Sequence, residues 1–165
     1  VVTDGTATYT RDPDGGLIAA TQNGTATAIL TNQHDDVIAT LNLATDSNLA
    51  ATRAYDATGT VTATTGTQPT LGYQSGWTDP VTGDTNMHAR WYNPATAGFR
   101  SRDDVAVSPT PVSAAANRYP YAAADPINLT DPTGHAPCWE LASTSARSCN
   151  NNTDKDSIGR PPGRD

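Results

Sequence analysis

Tyr9-Thr-Arg-Asp12-Pro-Asp-Gly15-Gly-Leu17 is the stretch on which the reading of this chain turns. An aspartate is followed three residues later by a glycine, and two after that by an apolar residue. The pattern returns as Tyr55-Asp56-Ala-Thr-Gly59-Thr-Val61. It also returns as Asn32-Gln-His-Asp35-Asp-Val37, with Asn for Asp and Asp for Gly. The starts at 12, 32 and 56 lie 20 and 24 residues apart. Asp or Asn close to Gly supplies the positive φ angles that tight turns need. A period of this size marks repeated supersecondary units that bury a core only by stacking on one another.

Working outward, residues 6–11, 17–21, 25–31, 37–43, 51–55 and 61–65 are rich in Thr, Val, Ile, Leu and Tyr. Turn residues separate them, including Gln22-Asn-Gly24 and Thr45-Asp-Ser-Asn48. Short β-rich runs at such spacing predict an antiparallel, all-β meander of hairpins. Composition agrees. All 17 acids except Glu140 are aspartate, and Lys155 is the only lysine among 10 bases. Glu and Lys are the usual surface helix formers, so a helical bundle or coiled coil is excluded.

The material for a core is thin, with 36% hydrophobic residues, much of it alanine, and one Phe, one Met and three Trp. Alanines contribute little buried area at roughly 25 cal/mol per Å². Such a chain is expected to share its core with strands outside it. A net charge of −7, a pI near 4.6 and the lack of any basic run exclude nucleic acid as a partner. No apolar run approaches the ~20 residues of a membrane span. The opening Val1-Val2-Thr3-Asp4 has no Met and no apolar leader, so the chain reads as a segment of something longer.

Texture divides the sequence in three. Residues 1–70 are the hairpin repeats. Residues 71–135 gather Tyr73, Trp77, Trp91, Tyr92, Phe99, Tyr119 and Tyr121 among frequent Pro and Arg. Residues 136–165 balance four acids with four bases, so the whole −7 lies before 136, as six Arg against thirteen Asp. Their Asn-rich, Gly/Pro-terminated end reads as a variable tail or linker.

Leu71-Gly-Tyr-Gln-Ser-Gly-Trp-Thr-Asp-Pro-Val-Thr-Gly83, Ala89-Arg-Trp-Tyr-Asn-Pro-Ala-Thr96, Asn117-Arg-Tyr-Pro-Tyr-Ala122 and Pro126-Ile-Asn-Leu-Thr-Asp-Pro-Thr-Gly134 together resemble the RHS-repeat-associated core domain. The upstream Tyr/Asp turns resemble RHS/YD repeats. The resemblance spans about residues 5–135. It implies an all-β fold of antiparallel hairpins from an RHS-type shell, ending in a core or plug, with an irregular tail after it. It further implies a secreted or cell-surface bacterial protein of the polymorphic-toxin kind. The partners implied are the remainder of the shell and a C-terminal passenger.

In cleaving members of that family an Arg and two Asp are implicated in aspartyl-type self-cleavage. The resemblance carries these roles to Arg90, Asp103 and Asp131, with the scissile bond between His135 and Ala136. Three positions depart from the family pattern: Asp103-Asp104 stands for Asp-Pro, Ala97-Gly98 for Gly-Arg, and His135 for the usual Leu. The chemistry suits these residue types. Two close carboxylates sharing one proton can activate water and polarise a carbonyl, because like charges push their pKa values apart. An Arg beside them can orient a carboxylate through paired hydrogen bonds, and an intramolecular substrate makes a single turnover attainable for even a weak site. The same residues also suit plain duty, Asp131-Pro-Thr-Gly134 as a turn and Arg102-Asp103 as a surface pair. The alternative functional class is a non-catalytic secreted YD-repeat protein that contacts a cell-surface glycan or protein.

No other constellation calls for a cofactor. His34, His88 and His135 are isolated in sequence, with no metal-ligand spacing. Asp12, Asp14, Asp35 and Asp36 lack a Ca²⁺-loop pattern and suit turns. Cys138 and Cys149 are a candidate disulfide for an exported protein, and two free thiols fit nearly as well.

Overall fold

The computed structural model describes residues 2–43, 48–104 and 117–135. Seven strands, β1 (Val2–Thr3), β2 (Thr8–Arg11), β3 (Leu17–Gln22), β4 (Thr25–Thr31), β5 (Val37–Asn42), β6 (Leu49–Tyr55) and β7 (Val61–Gly66), form one antiparallel sheet in chain order. Four shorter strands follow: β8 (Trp77–Thr78), β9 (Thr85–Met87), β10 (Arg90–Asn93) and β11 (Gly98–Phe99). They make a second antiparallel sheet, again between chain neighbours. No α-helix occurs among the described residues, only short 3-10 turns at Tyr73–Ser75, Pro94–Thr96 and Tyr121–Ala124. The all-β meander expected for the first part is therefore present. The second sheet was not anticipated, because its strands are two to four residues long and carry no alternating pattern.

The recurring turns share one geometry. Asp12, Asn32 and Asp56 each donate their backbone N–H to the carbonyl four residues on, at 2.9, 3.1 and 2.9 Å. Each also accepts, at its own carbonyl, the N–H three residues on. The side-chain oxygen of the same residue caps the turn, accepting the N–H of Gly16, Asp36 and Thr60 respectively. This is why Asp or Asn opens each of these three copies. The fourth position has a left-handed backbone, with φ of +92° at Gly15, +61° at Asp35 and +87° at Gly59. A fourth copy escaped the sequence reading. Gly72 donates to Gly76 O at 2.8 Å, Ser75 takes the left-handed position at +53°, and Trp77 follows as the apolar residue. Its opening residue has no side chain to cap with, so the usual signature is missing.

Each of the first three turns is followed by a register shift. Leu17 and Ala19, Val37 and Ala39, and Val61 and Ala63 oppose consecutive residues of the neighbouring strand, which leaves Ile18, Ile38 and Thr62 bulged. A bulge increases local twist and re-aims side chains. It turns Leu17 and Val37 inward, while Ile18 and Ile38 are exposed. The inward residues join Ala7, Tyr9, Ile29 and Leu71 in one core cluster. A second cluster stacks Tyr73, Met87, Tyr92, Phe99, Tyr121 and Ala122. Tyr92 and Tyr121 lie 4.5 Å apart by ring centroid, and Tyr73 stacks on Tyr92 at 5.7 Å. Tyr92 also donates its hydroxyl to Thr58 O at 2.6 Å, which ties this cluster to the third hairpin turn.

Candidate functional site

The aromatic stack is the floor on which the charged residues sit. Arg90 opens β10, and its guanidinium lies over the Phe99 ring, 3.6 Å from the centroid. Strand β11 then leads the chain to Asp103, whose N–H donates to Arg118 O at 3.1 Å. Residues 117–120 run back alongside, with Phe99 N–H on Tyr119 O at 2.7 Å. The turn after Thr130 brings in Asp131, whose backbone N–H donates to the buried Tyr121 hydroxyl at 3.2 Å.

Arg90, Asp103 and Asp131, separated by 13 and 28 residues, are thereby gathered around one guanidinium. Nη2 lies 2.8 Å from Asp103 Oδ2 and 3.6 Å from Asp131 Oδ2, with side-chain exposures of 5%, 7% and 2% for Arg90, Asp103 and Asp131. The two carboxylate oxygens are thus no farther apart than the two legs together, 6.4 Å. Nη1 donates to Arg118 O at 2.9 Å, and Nε donates to Gly134 O. Arg102 takes no part in this cluster. Asp103 is buried against Arg90, so a surface Arg102-Asp103 pair is not what forms: the Asp103 backbone is tied to Arg118 O and its side chain meets the guanidinium.

His135 meets both carboxylates. Its backbone N–H donates to Asp131 Oδ1 at 3.1 Å, and its Nδ1 lies 3.1 Å from Asp103 Oδ1. Asp104, exposed, approaches the same Nδ1 at 3.4 Å. Asp131 Oδ1 also accepts from Thr133 Oγ1 at 3.2 Å. Burial pushes the Asp131 carboxyl above its ordinary value, against the opposing pull of Arg90, Thr133 and the N–H groups of His135 and Gly134. Burial likewise lowers Arg90, opposed by Asp103, Asp131 and Asp104. The arrangement therefore offers one carboxylate ion-paired to Arg90 and one carboxyl whose proton is held more tightly than usual. Both lie against the residue that carries the 135 carbonyl.

Sequence spacing left the three histidines isolated, and the fold corrects this. His135 reaches Asp103 and Asp104, with one possible ligand atom from each within 4.8 Å of the others, but Asp103 Oδ1 there already faces the imidazole. His34 Nδ1 lies 3.3 Å from Asp36 Oδ1, and His88 Nδ1 lies 2.7 Å from Pro132 O. Sequence reasoning missed His88, Tyr121 and Thr133 as neighbours of the cluster. Only Thr133, two residues from Asp131, carried a local signal. Ala136, Cys138 and Cys149 lie outside the described residues.

Among curated proteins none matches this chain. Solved structures do. The chain is similar to a chain of the crystal structure of TcdB2-TccC3-Cdc42, at 14% identity and TM-score 0.64, covering 78% of this chain and 6% of that one. It is similar also to the Photorhabdus luminescens Tc holotoxin pore, at 15% identity and TM-score 0.64, covering 86% and 7%. At such identities the likeness is one of fold, and this chain spans only about a fifteenth of those chains. The Teneurin YD-shell family profile matches residues 3–127. With capped turns recurring along a seven-stranded meander and that match over most of its length, the chain belongs to the Teneurin YD-shell family of RHS/YD-repeat proteins.

Proposed function

We propose that this chain closes the end of a secreted RHS/YD shell and releases a C-terminal passenger by a single self-cleavage between His135 and Ala136. One observation carries the reading: Arg90 bridges Asp103 and Asp131 in a buried cluster, and His135 contacts both carboxyls. The domain division that goes with it is repeats over 1–70, core over 71–135 and a tail from 136.

In the reaction, Asp103, ion-paired with Arg90, takes a proton from a water as that water attacks the His135 carbonyl carbon. Asp131, whose burial favours its protonated form, polarises the carbonyl oxygen by hydrogen bonding. As the tetrahedral intermediate collapses, the 135–136 C–N bond breaks and the departing nitrogen takes up a proton. The products are a carboxyl at His135 and an amine at Ala136. By covalent geometry the carbonyl carbon of His135 lies about 2.5 Å from its own nitrogen, and that nitrogen is held on Asp131. The reacting group is thus delivered by the chain itself, with no separate binding step.

The test is intact mass spectrometry of the full chain through a time course. Fragments 1–135 and 136–165 are expected, and both should vanish in Asp103→Asn and in Asp131→Asn. A wild-type chain that stays whole for days between pH 4 and 8 would refute self-cleavage.

A further inference from the structure

Three consecutive residues of the β9–β10 turn hold three consecutive carbonyls of the segment that runs into the cleavage position. His88 Nδ1 lies 2.7 Å from Pro132 O, Ala89 N–H donates to Thr133 O at 3.3 Å, and Arg90 Nε donates to Gly134 O. A carbonyl only accepts, so His88 Nδ1 carries the proton in that contact. Resting on the self-cleavage reading, we propose that the 88–90 turn is the peptide-binding subsite of this site. It reads backbone carbonyls rather than side chains, fixes which bond reaches Asp103 and Asp131, and admits only glycine just before the residue cut.

Two independent features point the same way. Gly134 has φ +73°, and a Cβ there would sit inside 3.0 Å of Met87 O, with the N atoms of Arg90 and Ala89 at 3.1 and 3.3 Å. These obstacles are all backbone, so none can swing aside. The segment lies so close to the turn that any side chain would lift Gly134 O away from Arg90 and His135 away from the carboxyls. The second feature is His88 itself. Met87 pairs with Arg90, so His88 and Ala89 form a two-residue hairpin loop, and His88 takes φ +60°. Glycine fits such a position without steric cost. Here a side chain occupies it and points an imidazole at Pro132, with Asn86 Oδ1 accepting the His88 N–H at 2.8 Å to hold the turn. A side chain at this left-handed position, with its imidazole on the segment to be cut, fits backbone strain held at a binding contact.

A purely structural His88 would make stability and cleavage fall together, whereas a subsite residue separates them. In the full chain, His88→Gly should keep or raise the urea midpoint, because the left-handed position is relaxed. It should nonetheless slow release of the 1–135 fragment by about tenfold or more, as expected when a reacting bond is no longer held in place. Gly134→Ala should abolish release. His88→Gly cleaving at the same bond and at the wild-type rate overturns the proposal while leaving self-cleavage standing. Should wild type not cleave at all, hydrogen exchange of the Ala89 amide decides the subsite alone. Protection in wild type that is lost in Gly134→Ala supports it, and an unprotected Ala89 amide in wild type overturns it.

Discussion

Arg90→Leu isolates what the central cation contributes. The guanidinium is the positive partner of two carboxyls whose side chains are 7% and 2% exposed, and it also holds the carbonyls of Arg118 and Gly134. Leucine keeps an apolar contact over Phe99 but takes the guanidinium away from both buried carboxyls. Removing one partner of a buried ion pair costs about 3–5 kcal/mol, a large share of the roughly 5–15 kcal/mol that stabilises a domain. At an m-value of about 2 kcal/mol per molar, the urea midpoint should fall by about 2 M at pH 7. The loss should depend on pH in a definite direction. Burial already raises Asp131 above 3.8, with Arg90 opposing, so removing Arg90 raises it further. A carboxyl that binds its proton more tightly folded than unfolded loses folding stability as pH climbs from about 3.8 through the raised value. The gap between variant and wild type should therefore be widest near pH 7 and narrow toward pH 4. A midpoint shift below about 0.5 M at pH 7, or equal shifts at both pH values, would refute the buried-cluster account.

Two further perturbations probe the frame. Gly24→Ala and Gly59→Ala both place a side chain at positive φ, +78° and +87°, but only at Gly59 would the new Cβ meet the Tyr73 ring, at 2.6 Å. Gly24→Ala should cost about 1 kcal/mol from backbone strain and Gly59→Ala about 3, since overpacking adds to it; equal urea midpoints for the two would sink this reading. At His34, burial lowers the pKa, but the Asp36 carboxylate with the Leu129 and Pro126 carbonyls outweighs it, and the net shift is upward. A raised histidine stabilises fully below its unfolded pKa of about 6.5, and that contribution fades as pH rises through the folded value. Wild type should thus lose stability between pH 6 and 8 more steeply than His34→Gln, and parallel melting profiles would contradict the assignment.

What could be read in advance followed from local chemistry. The Asp12, Asn32 and Asp56 turns announce themselves because each cap is made within five residues, and the strands between them follow. Strand limits slipped where bulges and short edges decide. Residues 6–7 stay outside β2, β6 begins at Leu49 rather than 51, and Val2–Thr3 pairs as an extra strand. The Gly72 turn was invisible because its hydrogen bonds are all backbone. At the site, Arg90, Asp103 and Asp131 were singled out by resemblance, while the contacts of Arg90 with Arg118, Asp131 and Gly134 and of His135 with Asp103 join residues 28 to 44 positions apart. No residue spacing carries that information. His88 is the plainest case, since nothing beside it in sequence points to Pro132.

The order of the seven strands has a consequence for how the molecule comes into being. Every strand of that sheet pairs with its neighbour along the chain, so each hairpin can close as soon as it leaves the ribosome, with little loop entropy to overcome. The Arg90 cluster needs Arg118 and residues 131–135 as well, and it forms only after the last of them has emerged. Architecture alone thus acts as a clock: the frame is laid down first, and the carboxyls meet last.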